Sequence, residues 1–211
     1  MCGICGSVGR ADGTLIEQMT RTLVHRGPDG EGTKVFPTVS GSVPAALGHR
    51  RLSIIDTTER GAQPMPYAGD RYWITFNGEI YNYRELRGEL EELGFSFKTE
   101  TDTEVLLASF VAHGPGMLDR INGIFAFGIW DREESSLFLA RDRLGVKPLY
   151  WARRDEELHF AFPRRGCATG DACRPSPGGG RTRSRGSSDI GRPTRMDRVL
   201  LPPFDSAATS R

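Results

Sequence analysis

IFAFGIWDREESSLFLARDRLGVKPLYWARRDEELHFAF, residues 124–162, contains four short runs of strand-forming residues, Ile124–Trp130, Leu137–Arg141, Pro148–Ala152 and Leu158–Phe162, separated by polar turns. That is the spacing of a β meander. Upstream, GICGSVG (residues 3–9) reads as a further strand. More β segments are expected at 32–39, 45–55 and 71–77, the last with Tyr72, Ile74 and Phe76 alternating against Trp73 and Thr75. Three helical stretches interrupt the strands. Leu15, Met19 and Leu23 recur at four-residue steps opposite Glu17, Gln18 and Arg21. Leu86, Leu90 and Leu93 share a face over 82–93 until Gly94 stops that helix, and Asp102–His113 makes a third, rather apolar one. Helices and strands show no regular βαβ alternation, so the class expected is α+β with antiparallel sheets rather than a doubly wound parallel fold.

Charge divides the 211-residue chain in two. Overall, 28 Lys plus Arg stand against 27 Asp plus Glu. Residues 164–211 hold 10 Arg, no Lys, 4 Asp and no Glu, which makes that stretch +6 and residues 1–163 −5. One domain fits in 1–163. Arg, Gly, Ser and Pro supply 28 of the last 48 residues, a composition too poor in apolar groups to offset its ordering entropy, so the tail is expected to be disordered. No run approaches the length of a membrane span and the start lacks the design of a signal peptide, which points to the cytoplasm. Cys2, Cys5, Cys167 and Cys173 are too few and too unevenly placed for a secreted disulfide framework. No phosphate loop or dinucleotide fingerprint is present.

Several segments carry possible chemistry. Removal of Met1 would make Cys2 the first residue, and its α-amino group, with a reference pKa of about 7.7 to 8.0, could then relieve the adjacent thiol of its proton. Cys2 is otherwise a small apolar residue at a strand start, and with Cys5 it forms a CxxC that could hold zinc or cycle as a disulfide, although the remaining zinc ligands make a poor set. In FNGEIYN (76–82), Asn77-Gly78 is a hairpin-turn signal; functionally, the Asn amide and the Gly N–H offer two donors on one tight turn, suited to an oxyanion. HRRLSIID (49–56) heads a strand with Arg50 and Arg51, of which only one can face a given pocket, as a carboxylate clamp. Thr101 and Glu104 fit a capping box, and Asp102 between them could grip an ammonium group. RDRLGVKPLY (141–150) reads as a charged turn between strands.

Taken in order, MCGICG at 1, HRGPDG at 25, HRRLSIID at 49, FNGEIYN at 76, TDTEV at 101, NGIFAFGIWD at 122 and RDRLGVKPLY at 141 resemble the glutaminase domain of the glutamine-hydrolysing asparagine synthetases, a class II amidotransferase of the N-terminal nucleophile hydrolase type. The resemblance covers about 1–162 and implies a four-layer αββα sandwich of two antiparallel sheets. It also implies Cys2 as nucleophile, Asn77 and Gly78 as oxyanion hole, Arg51 on the α-carboxylate of L-glutamine, and Glu79 and Asp102 near its α-amino group. No cofactor or metal is implied for this chain. ATP and Mg²⁺ would belong to the aspartate-adenylating synthetase domain, which is absent here and would have to receive ammonia in trans. The abrupt change after Phe162 resembles a shifted reading frame more than an evolved linker. Alternatives are the glutaminase domain of another amidotransferase of the asparagine synthetase-like family, an inactive fragment, and a nucleic-acid binder using the +6 tail. The last is poorly provided for, since the tail has a single aromatic residue, Phe204. The sequence leaves the oligomeric state open.

Overall fold

The strands Gly3–Val8, Tyr72–Ile80, Gly123–Asp131, Ser136–Arg141 and Glu157–Phe162 are buried on both faces, and the reason is layering. A computed structural model describes residues 1–10, 12–38, 42–52 and 59–163, together with the backbone of 189–191. The described strands are β1 (Gly3–Val8), β2 (Gly30–Phe36), β3 (Ala45–Arg51), β4 (Met65–Tyr67), β5 (Tyr72–Ile80), β6 (Gly123–Asp131), β7 (Ser136–Arg141), β8 (Tyr150–Arg154), β9 (Glu157–Phe162) and β10 (Asp189–Gly191). They form a six-stranded sheet in the order β10-β8-β9-β1-β3-β2 and a four-stranded sheet in the order β4-β5-β6-β7. All pairings are antiparallel.

Alternation along the strands assigns each face. Ile4 and Val8 of β1, Ala45 and Leu47 of β3, and Phe160 and Phe162 of β9 meet Trp73, Ala126, Trp130, Leu137 and Leu139 of the second sheet in the central core. The opposite face of the first sheet presents Cys5, Ala46, Ala152 and Ala161 to α1 (Gly13–Arg21), which buries Ile16 and Met19 there. Asp12 caps α1, its Oδ1 accepting from the N–H groups of Thr14 and Leu15. The outer face of the second sheet, with Ile74, Phe76, Ile80, Phe125, Phe127, Ile129 and Phe138, packs on α2 (Tyr83–Glu92) and α3 (Asp102–His113). Eight of the twelve residues of α3 are buried, because sheet and α2 cover it from two sides. The order is therefore α1, sheet, sheet, α2 with α3: the four-layer αββα sandwich expected from the resemblance.

Two polar links bolt the sheets together. Thr75 Oγ1 donates to Gly48 O at 3.0 Å, and His49 Nε2 lies 3.1 Å from Phe76 O. Burial holds the His49 imidazole neutral by pulling its pKa down to about 4, so its N–H can serve as the donor. Both links sit beside the ends of β3 and β5 that form the site described below.

Several expectations are adjusted by the structure. Asn77-Gly78 is not a hairpin turn: both residues lie inside β5 and pair with Ala126 and Phe125 of β6, in a ladder that runs on to Ile80. Nine residues of pairing override a two-residue turn preference. Thr101 caps α3, its Oγ1 accepting from Glu104 N, but the other half of the capping box is not made. The Glu104 carboxylate accepts instead from the N–H groups of Lys98 and Thr99 and from Thr99 Oγ1. The strand expected at 45–55 ends at Arg51, and residues 53–58 lie outside the described ones, as does the tail apart from 189–191, whose backbone pairs with β8. Among the described residues, no helix is long and apolar enough to cross a membrane.

Candidate active site

Strand parity decides which functional side chains converge. Even-numbered residues of β1 and odd-numbered residues of β3 and β5 point between the sheets, as Ile4, Leu47 and Trp73 show. By the same parity Cys2, just ahead of β1, Arg51 at the end of β3, and Asn77 and Glu79 of β5 lie on that side. Beyond the last apolar layer the sandwich opens into a cavity of about 240 Å³ whose wall includes Cys2, Arg51, Asn77, Gly78, Glu79 and Asp102. All six residues expected at a site thus share one cavity, sized for a small metabolite rather than a polymer. Parity also settles the paired arginines. Arg50 turns to the other face and pairs with Glu31, while Arg51 faces the cavity.

The same rule separates Cys2 from Cys5. Cys5 points to α1, fully buried, where its Sγ contacts Thr20 Oγ1 at 3.4 Å and burial pushes its thiol up to about 12. A CxxC on opposite faces cannot close on one metal or form a disulfide without rebuilding the strand. Cys167 and Cys173 lie outside the described residues, and no cluster of three or more potential metal ligands occurs among those described.

Cys2 is held by the backbone of a single residue. Leu52 N donates to Sγ at 3.4 Å and the thiol donates to Leu52 O at 3.6 Å. Burial raises the thiol above its ordinary pKa and Asp102 adds to that effect. The Leu52 hydrogen bond, the chain amino terminus and Arg51 pull the other way.

The oxyanion geometry follows from the edge of β5. Even-numbered residues of this strand turn their N–H groups toward β4, which pairs with β5 only from Tyr72 to Ile74. Past that point side chains take over. Phe76 N donates to Gln63 Oε1 at 2.6 Å, and Ile80 N donates to Asp102 Oδ2 at 3.0 Å. Gly78 lies midway, so its N–H points to the same uncovered edge, at the cavity wall. Beside it, Asn77 is 2% exposed and its Nδ2 has no hydrogen-bond partner among the described residues. A buried amide donor left unpaired costs about 1–3 kcal/mol, so such groups are rare unless something else is meant to accept from them. Glycine is required at 78 by crowding: a β-carbon there would come within 2.3 Å of Ile124 O and 2.7 Å of the Phe125 Cα.

Around this pair the charges are arranged for a zwitterion. Arg51 lies against Gly61, where a β-carbon would approach its Nη2 to 2.3 Å, so the small residue makes room for the guanidinium. Asp102 is 5% exposed. Burial lifts its carboxyl to about 6, against the N–H groups of Ile80, Thr103 and Asp102 itself, with Glu79 adding to the rise. Arg51, Glu79 and Asp102 thus border a cavity whose wall also carries the unpaired Asn77 Nδ2 and the edge N–H of Gly78.

Two cavity residues escaped the sequence reading. Gln63 replaces the missing strand partner of Phe76 and donates from Nε2 to Thr103 Oγ1 at 3.4 Å. Lys147 sits in the turn read only as a loop, yet it is 7% exposed and reaches the cavity. Neither residue stands in a pattern of spacing that distinguishes it from ordinary loop chemistry.

Comparison with known proteins gives the family and the fold. The family model described as "Glutamine amidotransferase domain" matches residues 1–173. Asparagine synthetase [glutamine-hydrolyzing] 1 of Bacillus subtilis (strain 168) is 44% identical over 172 residues, covering 78% of this chain and 26% of that protein. Asparagine synthetase B [glutamine-hydrolyzing] of Escherichia coli (strain K12) is 40% identical over 133 residues, covering 63% and 23%. The chain spans about a quarter of the length of these relatives. Among solved structures, glutamine phosphoribosylpyrophosphate amidotransferase from B. subtilis superposes with a TM-score of 0.63 at 23% identity, over 75% of this chain and 41% of that one, which establishes likeness of fold.

Proposed function

The chain belongs to the glutamine amidotransferase domain family, and from that premise we propose that it hydrolyses L-glutamine to glutamate and ammonia with Cys2 as nucleophile. The observation that carries this reading is the unpaired, buried Asn77 Nδ2 beside the outward Gly78 N–H, on the wall of the cavity that also holds Cys2.

In this mechanism Met1 is removed and the freed α-amino group of Cys2 takes the thiol proton. The thiolate attacks the side-chain amide carbon of glutamine, the carbonyl π electrons move to oxygen, and the resulting oxyanion accepts hydrogen bonds from Asn77 Nδ2 and Gly78 N–H. The α-ammonium returns its proton to the amide nitrogen, the C–N bond breaks, and ammonia leaves a thioester on Cys2. Water, deprotonated by the same amine, adds to the thioester and expels the thiolate with glutamate. Arg51 binds the substrate α-carboxylate in a bidentate pair, and Asp102 and Glu79 bind its α-ammonium. No step calls for a cofactor.

The acceptor is a finer proposal. The similarity to asparagine synthetases suggests that the ammonia is destined for an ATP- and Mg²⁺-dependent amidation of aspartate, on a partner domain corresponding to the part of those relatives that this chain does not match. The test is direct. Purified chain with Met1 removed should release glutamate and ammonia in equal amounts from glutamine, and Cys2→Ala should fold but release neither. Turnover retained by that variant would remove Cys2 from the mechanism.

A further inference from the structure

Among the described residues, Lys147 is the one buried cation at the cavity that the mechanism above does not use. Its ammonium has no carboxylate within salt-bridge distance among the described residues; its hydrogen-bond partner is Met1 Sδ, 2.6 Å from Nζ. That partner is the residue whose removal exposes the nucleophile. The backbone of Lys147 is fixed independently. Asp142 Oδ2 accepts from Lys147 N at 2.9 Å and from Phe125 N at 3.3 Å, and Oδ1 accepts from Val146 N at 2.9 Å. Phe125 is the residue that faces Gly78 across the ladder. One carboxylate therefore ties the lysine turn to the strand behind the oxyanion donors, so the backbone that carries the side chain is held at the site independently of Met1.

We propose that Lys147 is a positioning residue acting through Cys2: with Met1 gone, its ammonium shares the cavity wall with the nucleophilic sulfur and favours the thiolate. This rests on the glutaminase reading and deepens it, by adding a fixed charge to a site where the α-amine alone would otherwise have to generate the nucleophile. The other charged groups set the background. Arg51 from β3 and the chain amino terminus favour the thiolate, and Asp102 from α3 opposes it. Lys147 itself is pushed toward the neutral form by burial and by Arg26 from the turn after α1, and drawn back toward the charged form by Asp142, by Cys2 and by Glu79 of β5. The mutual pull of Lys147 and Cys2 is the interaction in question, because whatever the sulfur does for the lysine, the lysine does for the sulfur.

The experiment is the pH dependence of Cys2 alkylation by iodoacetamide in the full chain lacking Met1, without glutamine, alongside glutamine turnover by the same preparations. Alkylation reads the thiolate alone: sulfur displaces iodide and becomes a thioether. Lys147→Met should move the midpoint of the rate profile upward by about one pH unit, roughly a tenfold loss of thiolate below it. Lys147→Arg should stay near the parent. In turnover, Lys147→Met should lower kcat with KM nearly unchanged. An unchanged alkylation profile in Lys147→Met, or a rise in KM alone, overturns the proposal. If Lys147→Met does not fold, Lys147→Arg carries the test, since a charge-preserving variant that loses the low midpoint overturns it equally. A shifted profile in a parent chain that turns over no glutamine sinks the glutaminase reading and leaves the coupling standing. Turnover with no shift sinks the coupling alone.

Discussion

Asn77 should show activity and stability moving apart on substitution. Its Nδ2 is buried and has no partner among the described residues, a penalty of about 1–3 kcal/mol that truncation to alanine relieves. Against this stands the packing lost with the side chain. Asn77 borders an existing cavity, so truncation enlarges that cavity instead of opening a void in the core, and the loss is correspondingly small. The two effects roughly cancel, and the change in unfolding free energy of Asn77→Ala should stay within about 1 kcal/mol of zero. Activity has no such compensation. One oxyanion donor removed costs about 100-fold to 1,000-fold in kcat, or roughly 2.7–4 kcal/mol of transition-state stabilisation. Asn77→Asp tests the same point at constant shape, because it places an acceptor where the donor was and should be at least as inactive. Urea unfolding monitored by tryptophan fluorescence, with steady-state glutamine hydrolysis on the same samples, measures both quantities. A loss of more than about 3 kcal/mol in stability, or a kcat within tenfold of the parent, would refute the assignment of Asn77 as an oxyanion donor.

Gly78→Ala should be destabilised by about 1–3 kcal/mol as well as inactive, because the new methyl meets the Ile124 and Phe125 backbone, which cannot yield as a side chain would; unfolding at the parental urea midpoint would contradict this. Asp102, with its carboxyl lifted to about 6, must ionise to hold the substrate ammonium, so KM for glutamine should rise as pH falls below about 6 while kcat changes less. Asp102→Asn should carry a high KM at every pH; a KM that ignores pH in the parent would exclude the role. The same shift has an opposite signature in stability. Between the ordinary carboxylate pKa of about 4 and about 6, the folded chain keeps a proton that the unfolded chain has released, so the Asp102 contribution declines as pH rises through that window and Asp102→Asn removes the decline. Gln63→Leu should leave Phe76 N–H without its acceptor and lower both stability, by about 1–3 kcal/mol, and kcat; a variant with parental kcat would show that this edge of β5 does not depend on Gln63.

The layering was legible wherever a strand or helix buries a repeating face. The Leu15, Met19, Leu23 step and the apolar 102–113 stretch mark helices that the structure contains, and the four runs of 124–162 became β6 to β9. What escaped was decided by partners far away in sequence. β4 has only three residues, one of them Pro66, and exists because an edge position beside Tyr72–Ile74 needs no amide donor on its outer side. Asn77-Gly78 carried a strong local turn signal that nine residues of pairing with β6 outweighed. That substitution of strand for turn changes the chemistry: the donors are an uncovered strand edge and a buried amide, not two ends of a bend. Of the site, the residue types and order were readable, and the resemblance selected Arg51 over Arg50. The physical basis of that selection, the odd-numbered face of β3, needed the register. Gln63 and Lys147 enter the cavity through loops whose course follows from Asp142 and Thr103, and no periodicity announces such contacts.

The account stands on Cys2 acting as an amino-terminal nucleophile next to the Asn77 and Gly78 donors. Intact-mass and peptide mass spectrometry after incubation with an electrophilic glutamine analogue, 6-diazo-5-oxo-norleucine, tests this in one measurement. The predicted result is a chain lacking Met1 with a single adduct on the Cys2 sulfur, blocked by excess glutamine and lost in Cys2→Ala. A chain that retains Met1 and still hydrolyses glutamine, or an adduct that forms elsewhere while Cys2 stays free, would contradict it.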